Sequence, residues 1–199
     1  MASIFTKIQD RAERAGITPY TEKSRKWFMR RLRTMTNITS KSILQDSSLT
    51  RRKKPLIGRM FMFLYDPKTK DTLPYYDRFP LILMVGPAEG GFYGLNLHYL
   101  SPRNRAVFFD ELQQFLNNDK MDETTRFRLA YSTLSQVRKL RAFAPCFKHY
   151  LYKHVRSHTV EIPPSEWEIA LFMPTDDFVG EKNRTIWNIS KNLVSDMNS

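Results

Sequence analysis

Four histidines, one cysteine and a few well-placed carboxylates are the first residues of this 199-residue chain to weigh for catalysis. The histidines are His98, His149, His154 and His158. The last two stand four apart in a stretch whose pattern predicts a helix, a spacing that lets two imidazoles reach one metal. His149 lies five before His154, off that face, and no carboxylate joins them at ligand spacing. Lys148, Lys153 and Arg156 share the stretch, so a structural or phosphate-contacting helix is the better reading. Asp66-Pro67-Lys68, with Asp77 further on, has the residue types of a nuclease centre, where carboxylates hold a divalent ion that activates water. The tripeptide reads instead as a hairpin tip, and no Glu-x-Lys strand follows it. Cys146 follows Pro145 at a predicted helix start, where a dipole lowers a thiol pKa. A small buried apolar residue is the better reading of it. No phosphate-cradling glycine loop, nucleophile elbow or Ser/His/Asp spacing is present. The sequence therefore nominates no catalytic residue, no metal site and no cofactor.

Charge is the stronger signal. From Met1 to Arg59 there are 15 Lys/Arg against 4 Asp/Glu, whereas the other 140 residues carry 17 against 16. The formal charge of +12 is thus a basic block joined to a near-neutral remainder. Such a block is the footprint of a polyanion-binding extension. Its candidate contacts are Lys23, Arg25, Lys26, Arg30, Arg31 and Arg33, interleaved with Trp27 and Phe28, and the run Arg51, Arg52, Lys53 and Lys54. Phosphate contact and base or groove contact are both open to such a segment. Lys148, Lys153 and Arg156 are secondary candidates. Two other readings stay open: an arm gripping an acidic protein neighbour, and an interfacial membrane helix using Ile4, Phe5 and Ile8.

The positioning elements follow from periodicity. Ile4, Ile8, Ala12 and Ala15 form one stripe of a helix, with Lys7, Arg11 and Arg14 opposite and Gly16 and Pro19 ending it. A second helix runs from a Thr21 cap to Met35. Thr36 to Thr50 reads as linker. Strands are expected at Leu56–Tyr65, Leu81–Val85 and Phe92–Tyr99, joined by tight turns. Helices follow from Ser101-Pro102, from Asp122 and from Pro145, the last to His158. A strand at Thr159–Ile162 returns to the sheet, stopped by Pro163-Pro164. Ser165–Ala170 is a short capped helix before a loose tail. Phe61, Phe63, Leu81, Leu83, Leu95, Leu97, Phe108, Leu112, Tyr131, Leu134 and Leu151 are the expected core.

The fold class is therefore α+β: a small Src-homology-like (SH3-like) antiparallel barrel with a helical insertion, preceded by a basic helical arm. The expected divisions are an arm and linker at 1–55, a body at 56–183 and a C-terminal tail at 184–199. The body's barrel strands span about 56–100 and 159–162, and its helices about 102–158. Removing residues 1–54 is expected to leave the body folded. The longest apolar run, Leu81–Val85, is too short to span a bilayer, and the start lacks a signal-peptide core. With its lone cysteine, the chain reads as a soluble protein of a reducing compartment.

Five phrases carry a resemblance: Gly58–Lys68 (GRMFMFLYDPK), Leu73–Leu81 (LPYYDRFPL), Gly91–Leu100 (GFYGLNLHYL), Pro145–Tyr150 (PCFKHY) and Trp167–Pro174 (WEIALFMP). Together they resemble a family of small virion-associated proteins of T-even-like myophages, the DNA end protector group, over roughly Leu56 to Asn183. The resemblance implies a non-enzymatic role, binding and protecting the ends of packaged linear double-stranded DNA near the head–tail junction. It implies a virion location, synthesis in the bacterial host cytoplasm, and head, neck or baseplate proteins as neighbours. Neither a membrane nor a small-molecule substrate is expected as partner. A neck, tail or baseplate component whose arm grips virion proteins is the alternative. A small-barrel nuclease, similar to barrel-type toxin endoribonucleases at Gly58–Tyr65, is a weaker one.

Overall fold

Side-chain caps start each of the three helices that open the chain in the computed structural model, which describes residues 2–35, 38–116 and 144–196. In α1 (Ile4–Arg14) the Ser3 hydroxyl accepts from the Thr6 amide at 2.9 Å. Gly16, at φ 65°, ends it in the left-handed turn that glycine adopts without a Cβ clash. α2 (Glu22–Leu32) and α3 (Ser40–Gln45) begin with reciprocal boxes, Thr21 with Ser24 and Thr39 with Ser42. Each box satisfies two amides that a helix start leaves open. The segment expected to be linker thus contains a helix, and Ile43 within it and Leu49 after it are buried.

Six strands form one antiparallel sheet: β1 (Arg51–Arg52), β2 (Met60–Met62), β3 (Leu81–Ala88), β4 (Gly91–Asn96), β5 (Phe147–Leu151) and β6 (Thr159–Ile162). Their order is β1-β6-β2-β3-β4-β5. The returning strand is where the sequence places it, with Met60 opposite Ile162 and Met62 opposite Val160. The expected helix from Pro145 to His158 is instead β5, a 3-10 turn at Tyr152–His154 and a loop. Alternation along β5 pairs Tyr150 with Phe92 on one face and His149 with Tyr93 on the other, a two-residue period. The ladder with β4 overrides the apparent helical spacing.

The sheet stays open, so the expected barrel does not close among the described residues. β1 is two residues long, and β5 turns away into the 3-10 turn, so neither edge offers the ladder that closure requires. Among the described residues, the chain after β2 meets the chain after β5 through the bridge Tyr65↔Val155 and flanking bonds such as Arg156 N to Leu64 O at 2.8 Å.

Each face of the sheet carries its own core. Met60, Met62, Leu81, Leu83, Leu95, Val160 and Ile162 face the helices. Phe61, Phe63, Ile82, Met84, Phe92 and Tyr150 face the other way into an aromatic cluster. Phe63 meets Phe92 and Tyr150 edge-on with ring centroids at 5.7 and 5.2 Å, an arrangement that aromatic quadrupoles favour. Leu97 and Phe108 are core as expected, whereas Leu151 is only half-buried. The expected helix from Asp122, with Tyr131 and Leu134, lies outside the described residues, as does the side chain of Leu112.

Residues 1–54 are not a free arm. Phe5, Ile8, Ala12, Phe28, Leu32 and Ile43 belong to the same core as Trp167, Ile169 and Leu171 of α5 (Trp167–Phe172). The tie is also polar. Glu166 accepts from the hydroxyls of Ser3 and Thr6, each at 3.1 Å. Glu168 accepts from the Ser24 hydroxyl at 2.5 Å and the Tyr20 amide at 2.8 Å. β1 adds two residues of ladder to β6. The loose tail is likewise replaced by α6 (Asn183–Asp196), with Ile186 buried and Trp187 Nε1 donating to the His98 carbonyl at 2.9 Å.

Two buried charges hold the centre. Arg105, in α4 (Pro102–Leu116), is 1% exposed and donates to the carbonyls of Leu97, Leu100 and Leu171 at 2.9–3.0 Å. Burial lowers its pKa to about 10. Asp77 accepts from His98 Nδ1 at 2.8 Å, Asn96 Nδ2 at 2.9 Å and the Phe79 amide at 2.9 Å. Burial alone would raise its pKa, but the His98 imidazole and these bonds outweigh it and hold the carboxyl below its ordinary value.

Three outcomes follow from this packing. A chain lacking residues 1–54 loses its cooperative thermal transition, because it strips one side of the main core. Leu32→Ala and Phe63→Ala, one in each core, each cost about 2–5 kcal/mol in denaturant titration. The stabilisation from Asp77 is whole above the ordinary Asp value of 3.8 and is lost as pH falls through its lower folded value. Asp77→Asn therefore costs about 3 kcal/mol at neutral pH and flattens the acid limb of the stability curve.

Candidate nucleic-acid interface

The docking that buries the apolar stripes of α1 and α2 leaves their basic residues outside. Arg11, Arg14 and Arg31 converge on Trp27 around a shallow cleft of about 390 Å³. Trp27 is fixed edge-on to Phe28, ring centroids 5.2 Å apart, and Phe28 is anchored in the core. Lys23, Arg30 and Arg33 stand exposed on the same helix or at its end. None of these six cations has a carboxylate partner among the described residues. A surface of guanidinium groups around an indole supplies planar, multi-donor contacts to phosphate and a stacking face.

Not every nominated residue is available. Arg25 is bound through both terminal nitrogens to Asp110, tying α2 to α4. Lys26 pairs with Glu22 at 2.6 Å on the surface. Arg52 is held by Glu161, which Arg59 also approaches at 3.9 Å. Arg51 is exposed and donates to the Leu44 carbonyl at 3.3 Å. Lys53 lines a second shallow cleft, about 480 Å³, with Arg156, Ser157 and His158. The Lys54 ammonium lies 5.4 Å over the Tyr152 ring. Arg156 reaches Asp66 at 3.4 Å, and Lys153 is exposed. Lys148 is in neither cleft's lining, and its ammonium lies 4.1 Å from the centre of the Tyr99 ring.

Arg11 and Arg14 are the residues that charge counting did not nominate. Their signal was present: they lie three apart, opposite the buried stripe of α1. What the sequence lacks is the tertiary contact that sets them beside Arg31.

The other candidates dissolve into structural roles. His98 is buried on Asp77, and His154 Nδ1 meets the Asp66 carbonyl at 2.8 Å. His154 and His158 share no helix face, and no group of three metal-binding side chains assembles among the described residues. Asp66 is engaged by Lys70 at 3.1 Å as well as by Arg156. Burial pushes the Cys146 thiol up to about 12, which keeps it from forming a thiolate at neutral pH. Phe5 and Ile8, the apolar anchors of the membrane reading, are spent inside the core. No helix among the described residues is long and apolar enough to cross a membrane.

Comparison with known proteins closes the argument. The model of the family described as Phage T4 terminal DNA protecting protein matches residues 1–193. The match includes α1, α2 and α3, which the phrases from Leu56 onward left uncovered. No curated protein and no solved structure matches the chain. A match of this extent, on a chain with a basic helical face, places it: this protein belongs to the family of phage terminal DNA protecting proteins.

Proposed function

We propose that this protein binds the ends of packaged linear double-stranded DNA and shields them, as a non-enzymatic component of the virion near the head–tail junction. The observation that carries the reading is the set of three arginines around Trp27, with no carboxylate partner among the described residues and presented on a core-docked helix pair. Backbone phosphate offers the dense anionic charge that such a surface neutralises without reading sequence. Arg11, Arg14, Lys23, Arg30, Arg31 and Arg33 make the principal contact. Lys53, Lys54, Lys153 and Arg156 form a second basic cluster that follows the strand outward. Arg25 and Arg52 act indirectly, by holding α2 and β1 in place, and Lys26 and Arg51 lie at the margin of the surface.

Head, neck or baseplate proteins are its neighbours in the particle, after synthesis in the host cytoplasm. Protection requires only occupancy: a protein seated on the terminus denies an exonuclease its substrate. Membership of a family of DNA protecting proteins supports a role without chemistry of its own.

If six cations contact phosphate, log affinity for linear duplex falls with log salt at a slope of about −5. Replacing Arg11, Arg14 and Arg31 together by Ala reduces the slope to about −3 with the thermal midpoint unchanged, since all three are exposed. Fluorescence anisotropy across a salt series measures both. An unaltered slope in the triple variant would move the contact to the Lys53–Arg156 cluster. Protection of linear duplex from a processive exonuclease, lost in parallel with affinity, tests the shielding itself.

A further inference from the structure

A third cavity lies on the aromatic face of the sheet, between β5 and the loop that precedes β3. It measures about 470 Å³, within the roughly 300–1,000 Å³ of small-ligand clefts. Tyr75, Tyr99 and Tyr150 contribute to its wall, and Lys148 is its most buried cation. The rim is held by construction. Tyr76 and Val179 exchange backbone hydrogen bonds at 3.2 and 2.9 Å. Gly180, at φ 91°, lies so close to Pro74 that a Cβ there would stand 2.5 Å from the Pro74 carbonyl oxygen.

Lys148 has an aromatic partner but no counter-ion among the described residues. Its ammonium lies over the Tyr99 ring at 4.1 Å, and no carboxylate among the described residues pairs with it. Asp77 also lines the cavity, but its oxygens are occupied by His98, Asn96 and the Phe79 amide. Lys68 and His149 add further basic groups to the lining. A partly dehydrated cation without a counter-ion among the described residues favours an anion, and Tyr75 and Tyr76, the half-buried tyrosines of the lining, favour a planar ring. A ring and an anion in one ligand of this size describe a nucleotide.

We infer that this cavity receives the terminal nucleotide of the DNA, its base against the tyrosines and its phosphate at Lys148. The inference rests on the end-binding reading and gives that reading its specificity. A basic surface grips duplex anywhere along its length. A one-nucleotide cavity is served only by a base already free of its stack and partner, and a duplex supplies that most cheaply at a frayed or single-stranded end. Burial holds the Lys148 ammonium below its ordinary pKa.

The test uses the full-length protein, a linear duplex with short single-stranded tails and a covalently closed circle of the same sequence. Wild type prefers the tailed linear form, and 2-aminopurine at the terminal position loses fluorescence on binding as it stacks on tyrosine. Lys148→Met, which removes the half-buried charge while keeping the chain length, lowers the preference for ends by about tenfold or more and leaves affinity for the circle unchanged. Its thermal midpoint, measured alongside, is expected to hold or rise. A preference for ends retained by Lys148→Met, or an unquenched terminal 2-aminopurine, overturns the cavity's role and leaves end binding standing. Equal affinity of wild type for line and circle overturns end binding itself, and the cavity's role with it.

Discussion

Glu166 and Glu168 sit where the N-terminal ends of α1 and α2 meet the body, and the rest of the molecule depends on that meeting. Glu166 takes the hydroxyls of Ser3 and Thr6, in the cap and first turn of α1. Glu168 takes the Ser24 hydroxyl and the Tyr20 amide at the start of α2. Asp46 adds a third carboxylate, accepting from the Ile4 amide at 2.8 Å. Carboxylates at helix N-termini are favoured by the unsatisfied amides and by the helix dipole. Burial nevertheless pushes Glu166 and Glu168 above the ordinary glutamate pKa, so the docking works against a desolvation cost and is carried by the apolar stripes beneath.

That geometry partitions the charge of the chain. Acids from the body are drawn inward to the beginnings of the helices, and the arginines of the later turns are left outward. Arg11, Arg14 and Arg31 reach a common cleft because α1 and α2 both rest on α5. A surface built this way is preorganised. Its cations lose less freedom on meeting phosphate than they would on a disordered arm, which orders only at the moment of binding. The docking that stabilises the fold therefore also prepares the proposed interface.

The sheet divides labour between its faces. The helical face is aliphatic and closes the main core; the opposite face is aromatic and closes a second, smaller one. Beside the buried rings of Phe61, Phe63 and Phe92 the covering loop leaves a cavity whose lining includes Tyr75, Tyr99, Tyr150 and Lys148. An open sheet is what permits this. A fully closed barrel would fill its interior with side chains, whereas edges at β1 and β5 leave room for a loop to form a wall.

Local chemistry was legible in the sequence. The Thr21 cap, Pro102 at the first turn of α4, the glycine ending α1 and the alternation that buries Phe61 and Phe63 are set within a few residues of chain, so composition and period reveal them. The return of Thr159–Ile162 to β2 was legible too, because a short apolar strand stopped by two prolines has few places to pair. The basic surface was legible only as a count of charges. Which cations are spent on Asp110 and Glu161, and which have no carboxylate partner among the described residues, is decided by contacts between residues as far apart as 109 positions. β5 read as a helix because its apolar positions satisfy both periods over so short a span, and only the ladder with β4 settles the matter. The first 55 residues read as an arm for a related reason. Amphipathic helices announce an apolar stripe, but the surface that covers it, here α5 some 150 residues later, is a property of the folded chain alone.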